Sequence, residues 1–171
     1  HGRLGQAQFA AGRSRDLAGR LASELVSTAN ELITARPKDA DLRWMLAHAS
    51  VASGRVTYAS GDAVDSTPWI VAADALMEAH ALAPAGGVPL STALEYLAQR
   101  GKHEGVDVAP LDEKIDSVLG VMRKLYAAAP ATATATGSVC LMRSGRALAT
   151  DKAAAQALLD EGIGALAPVV G

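Results

Sequence analysis

The chain has 171 residues, half of them apolar but only 4% aromatic, and a formal net charge of −2. That length bounds it to one domain, residues 1–171, with room for a core of its own. A pI near 6.1 leaves no electrostatic footprint for nucleic acid, and no apolar run approaches the roughly 18 residues a membrane-crossing helix requires.

The apolar weight sits in Ala, Leu and Val. Ala and Leu are strong helix formers, whereas a β-sandwich would want aromatic and β-branched residues. The first helix is predicted over 14–36, with Ser14 as N-cap and Leu17, Leu21, Leu25, Leu32 and Ile33 as its apolar stripe. Pro37 stops it. The second opens on Asp39 as cap, carries Leu42, Met45, Leu46 and Ala49, and ends at Gly54, a C′-type residue. The third starts at STPW, with Ser66 or Thr67 as cap and Pro68 in the first turn, and stops at Pro84. A fourth carries Leu90, Leu94 and Leu97 as far as Gly101, and a fifth opens at Leu111 and Asp112. The last is predicted over 151–166, so the expectation is all-α with about seven helices.

Four prolines, Pro37, Pro84, Pro130 and Pro168, follow helical runs at intervals of 47, 46 and 38 residues. Registered on them, Gly54 and Gly101 fall at the same offset of 17. The unit is therefore predicted as helix, proline turn, helix, then a variable connection. The stretch AAAPATATATG at 127–137 alternates like a strand, but in this register it is predicted as a turn between paired helices. Thr132, Thr134 and Thr136 offer hydroxyl caps there.

Ala72, Leu76, Ala79 and Pro84 resemble the second-helix signature of tetratricopeptide repeats (TPRs), and Leu90, Leu94, Leu97 and Gly101 resemble a following first helix. The spacing between prolines exceeds the family's unit of about 34 residues. GRVTYASGDAVDSTPWIVAADAL at 54–76, with Tyr58, Gly61 and Asp62, is similar to the degenerate TPR-like arrays of actinobacterial proteins that carry a caspase-like CHAT domain. Leu111 and Asp112 echo the same opening.

The resemblance implies a short right-handed α-solenoid of antiparallel hairpins whose first helices line a concave, partner-binding face. Its groove positions map to Trp44, His48 and Val51 in one first helix and to Ser91, Glu95, Ala98 and Gln99 in the next. The function it implies is that of a non-catalytic protein-interaction scaffold or regulatory arm. Such an arm would take a protein or peptide partner, or an effector domain in the same polypeptide such as a CHAT-type peptidase. The alternative is a ligand-sensing helical bundle closed around Trp44 and His48. Because the last helix carries few charges and the sequence stops just after Pro168, the chain is expected either to be a segment of a longer protein or to pair its C-terminal face with another subunit.

Residues that carry chemistry elsewhere read blandly here. His48 and His80 sit at the margins of apolar stripes. His103, Glu104, Asp107 and Asp112 fit neither a zinc site nor an EF-hand loop, so no metal and no cofactor is expected. Cys140, flanked by Val139, Leu141 and Met142, is expected to be a buried structural thiol. A single cysteine suits a reducing, cytoplasmic setting, and the opening residues lack a signal-peptide pattern. Gly162 and Gly164 lack the third glycine of a dinucleotide fingerprint and are expected to thin the last helix for close packing or to mark its fraying. Asp112/Glu113 and Asp160/Glu161 are expected at helix starts or on solvated faces.

Overall fold

In the computed structural model, residues 2–60, 65–83 and 89–170 are described, with side chains for 17–56, 65–83 and 89–169. Seven α-helices account for nearly all of them, and no strand occurs among the described residues: α1 Gly2–Ala35, α2 Ala40–Ser60, α3 Thr67–Leu82, α4 Leu90–His103, α5 Ala109–Leu125, α6 Pro130–Ala147 and α7 Lys152–Val170. The chain divides into two compact units, His1–Ala83 with α1 to α3 and Pro84–Gly171 with α4 to α7. Pro84, Gly86, Gly87, Gly61 and Asp62, on which part of the repeat pattern rests, lie outside the described residues.

Four helix starts share one device. Asp39 Oδ1 accepts from the backbone N–H of Asp41 (3.1 Å) and Leu42 (3.3 Å), and Asp65 Oδ1 from Thr67 (2.9 Å). Asp107 Oδ1 accepts from Ala109 (3.1 Å), and Asp151 Oδ1 from Ala154 (2.9 Å). A carboxylate there satisfies an orphan donor and meets the positive end of the helix dipole. Asp39 thus caps α2 as expected. At α3 Ser66 holds the N-cap position, as expected, but makes no side-chain bond there; Asp65, one residue earlier, accepts from the chain instead, and the bonds from Thr67 hold its carboxyl below the ordinary range.

In the first unit α2 packs against both α1 and α3. Of the stripe expected on α1, Ile33 is buried and Leu32 half-buried, but Leu17, Leu21 and Leu25 are each half exposed, and Ala22 and Ala29 are buried in their place. Small residues win because they let the backbones approach. A Cβ on Gly19 would stand 3.4 Å from Val56 Cγ1 on α2. Gly54 does not end α2, which continues to Ser60. It is buried because Trp69 of α3, only 1% exposed, lies across it. Arg43 pairs with Glu78 at 2.8 Å between α2 and α3.

In the second unit α6 packs along α7 and also meets α4 and α5. Helix α4 passes Gly101 and closes in a Schellman arrangement. Gly105 sits at φ 78°, Val106 N–H donates to Gly101 O (2.9 Å), and Gly105 N–H donates to Lys102 O (3.1 Å). Glycine is needed at that one position because its φ is left-handed.

The α1–α2 and α5–α6 turns carry the same two bonds. Arg36 N–H donates to Leu32 O and Asp39 N–H to Arg36 O; Tyr126 N–H donates to Met122 O and Ala129 N–H to Tyr126 O. This registers Pro37 with Ala127, not with Pro130. Pro130 starts α6, where its missing N–H costs nothing, and Pro168 lies inside α7. AAAPATATATG is therefore a turn only as far as Ala129; the alternating residues open α6. Their threonines do not cap. Thr134 Oγ1 donates back to Pro130 O (2.9 Å), while Thr132 and Thr136 are buried.

The α6–α7 seam uses glycine, as expected for Gly162 but not for Gly164, which has no atom within 4 Å of an added Cβ. A Cβ on Gly162 would meet Cys140 Cβ at 3.1 Å and Gly137 O at 3.3 Å, whereas Gly120 in α5 has no atom within 4 Å of an added Cβ. Gly120→Ala is therefore expected to raise the free energy of unfolding by about 0.5–1 kcal/mol through helix propensity alone. Gly162→Ala should give no such gain, and urea titrations of the two variants read the difference.

Candidate functional site

Helix α2 turns one face towards α1 and α3, burying Leu42, Leu46 and Ala49. Trp44, His48 and Val51 recur at i, i+4 and i+7 on another face, the spacing that stacks side chains one above the other. Trp44 and Val51 are half-buried and His48 is exposed. The indole and imidazole centroids are 6.5 Å apart with planes tilted by 30°. A partly exposed indole braced by a second ring presents apolar area at little entropic cost, which suits an anchor.

The other expected groove residues divide. Gln99 is exposed. Ser91, Glu95 and Ala98 have no accessible surface, so they form the interior of the second unit. Glu95 is in fact the centre of an ionic cluster that joins three helices. Its Oε2 accepts from Arg146 Nη2 (3.0 Å) and Arg143 Nε (3.3 Å). Its Oε1 lies 2.7 Å from Arg146 Nε, in a geometry too poorly aligned to count as a hydrogen bond. Arg146 also forks onto Asp112 of α5, Nη2 to Oδ1 at 2.5 Å and Nη1 to Oδ2 at 3.2 Å. Arg143 reaches Asp116 Oδ1 (2.7 Å) and the Asp112 carbonyl (3.2 Å).

Burial pushes the Glu95 carboxyl above its ordinary value of 4.5; the two arginines oppose the rise and Asp112 adds to it. Burial alone would lower the arginines, but bonds and charge from Asp116, Asp112 and Glu95 carry Arg143 up, and those from Asp112 and Glu95 carry Arg146 up. Every carboxylate in the cluster faces a guanidinium, so the arrangement fastens α4, α5 and α6 together. The spacing of α6 holds a signal for it: Thr132, Thr136, Val139, Arg143 and Arg146 share one face, which places two arginines on the stripe that buries its neighbours.

The remaining candidates are engaged elsewhere. Asp107 caps α5, Asp112 belongs to the arginine cluster, Glu104 meets Arg100 at 3.3 Å and His103 is exposed. No group of three metal-ligating side chains is gathered among the described residues. Cys140 is buried, and burial, followed by the nearby Glu161 carboxylate, pushes its thiol up. That is the opposite of what activates a nucleophile. No helix among the described residues is long and apolar enough to cross a membrane.

Compared with known proteins, the chain matches no family model, no curated protein and no solved structure.

Proposed function

We propose that the chain is a protein-interaction module of TPR-like helical hairpins, arranged as a short right-handed α-solenoid. It would serve as a scaffold or regulatory arm for a protein or peptide partner, including an effector such as a CHAT-type peptidase in the same polypeptide. The observation that carries this reading is the Trp44–His48–Val51 face of α2, an aromatic anchor held in register on a rigid helix. The half-exposed row Leu17, Leu21 and Leu25 on α1 supports it, since apolar rows left on a surface mark interaction sites. The recurring hairpin turns support the repeat.

Selection of peptides from a random library on the whole chain, followed by titration, tests the reading. Trp44→Ala is expected to weaken the selected peptides by about tenfold or more, the effect of losing a hot-spot aromatic, with thermal stability nearly unchanged. Equal affinity for both proteins would overturn the assignment of that face.

A further inference from the structure

Across the α6–α7 seam Gly137 lies against Leu166 and Gly162 against Cys140, so the two helices run antiparallel. One residue on from the seam a helix has turned by about 100°, and in an antiparallel pair both turns lead to the same side. That side carries Leu141, next to Cys140, and Ile163, next to Gly162. Leu148 follows Leu141 by seven residues, two turns along the same face. The three are 57%, 60% and 59% exposed. Helices α4 and α5 lie on the opposite side, where Glu95 meets Arg143 and Arg123 meets Glu161. Along α6 the open side passes through Thr134, Ser138 and Gly145 and holds no charge. Along α7 its charges are Lys152 and Asp160, both exposed and one turn to either side of Gln156. Neither has an ion-pair partner among the described residues; Asp160 Oδ1 accepts from Gln156 Nε2 at 2.8 Å.

We infer that this side of α6 and α7 is the interface of a symmetric dimer, and that what covers it is a second copy of the chain. The charges select that occupant. A two-fold axis over Gln156 sets one α7 antiparallel to the other, so a residue four before the axis meets one four after it. Lys152 of each protomer then faces Asp160 of the other, and the pair forms twice, as a self-complementary contact requires. A parallel arrangement would set lysine on lysine and aspartate on aspartate, which like-charge repulsion disfavours. The same axis carries Ile163, seven residues beyond it, to the turn before the other α7, where Leu148 and Ala149 are exposed. The large apolar side chains are thus covered by the operation that pairs the charges. Another protein would have to carry this pattern inverted; a second copy carries it by symmetry. The inference is independent of the Trp44 surface, which belongs to the other unit.

Sedimentation equilibrium of the whole chain from about 1 to about 500 µM tests it. A monomer–dimer equilibrium is expected with a Kd of about 10–100 µM, since a contact of a few helical turns is at the small end of interfaces. Asp160→Lys should weaken it by about tenfold or more, because it sets two like-charge pairs in the contact, and Lys152→Glu should do the same. The two substitutions together restore opposite charges and should return the Kd to within about threefold of the parent. Ile163→Glu should also cost about tenfold or more. All three side chains are exposed, so each variant should melt close to the parent and its loss reports association. Trp44→Ala should leave the dimer as it is. A parent still monomeric at about 500 µM, a dimer indifferent to Asp160→Lys, a double variant no tighter than the single ones, or a dimer lost with Trp44 would each overturn the proposal.

Discussion

Arg146→Ala should lower the free energy of unfolding by about 3–5 kcal/mol, the cost of removing one partner from a buried ion pair. Glu95 has no exposed surface, so without Arg146 its carboxylate keeps only Arg143 Nε at 3.3 Å. Total stabilities of domains this size are about 5–15 kcal/mol, so the loss should be visible as early unfolding in urea. Glu95→Ala should cost less. The arginines it releases still hold Asp112 and Asp116, and both of those carboxylates reach water. Replacing the pair together, Glu95→Leu with Arg146→Met, should recover most of the loss, because an apolar pair of similar volume avoids the desolvation of two ions. A cost below about 1 kcal/mol for Arg146→Ala, the range of exposed ion pairs, would show that the cluster does not hold α4 to α6.

The same cluster fixes a pH signature. Because the folded state raises the Glu95 carboxyl, it binds the proton more readily than the unfolded chain does above 4.5. The proton-linked stability is full below that value and is lost as pH climbs through the folded pKa. Glu95→Gln removes the titration. The difference in stability between parent and variant should therefore shift against the parent as pH rises from 4.5, a slope opposite in sign to that of carboxylates such as Asp65, whose folded pKa is lowered.

Helix count and most helix cores are legible from periodicity, because a 3.6-residue pattern survives whatever the helices pack against. Where periodicity misleads, the causes are identifiable. Proline is as much at home at the first position of a helix as beyond its end, so Pro130 reads as a stop where it is a start. Gly54 looks like a helix end because its partner Trp69 is on the next helix, where no local pattern reveals it. Glu95 reads as a groove residue because the TPR resemblance maps a groove position onto it, and an unpartnered carboxylate on a helix is ordinarily solvated. Its arginines lie 48 and 51 residues further along the chain. The leucine row of α1 reads as core by size alone, but close helix contact favours the alanines.

The packing of Trp69 against Gly54 makes a test of the first unit that side-chain volume decides. Trp69→Ala is expected to cost about 3–5 kcal/mol, the range for truncating a buried aromatic, since Trp69 is the largest fully buried side chain. Gly54→Ala should also destabilise although it improves helix propensity. The added methyl would stand 3.0 Å from Trp69 Nε1 and 3.2 Å from Pro68 Cβ, and neither belongs to a side chain free to swing away. Overpacking of that kind costs about 1–3 kcal/mol, against a propensity gain of about 1 kcal/mol. The two positions must then be coupled. In a Trp69→Phe background the indole nitrogen edge is gone, the methyl gains room, and Gly54→Ala should become neutral or stabilising. Unfolding followed by helical circular dichroism gives the four corners of the cycle without relying on the indole that is being changed. Additivity within about 0.5 kcal/mol, as for sites that do not touch, would mean that Gly54 is not there to admit the ring.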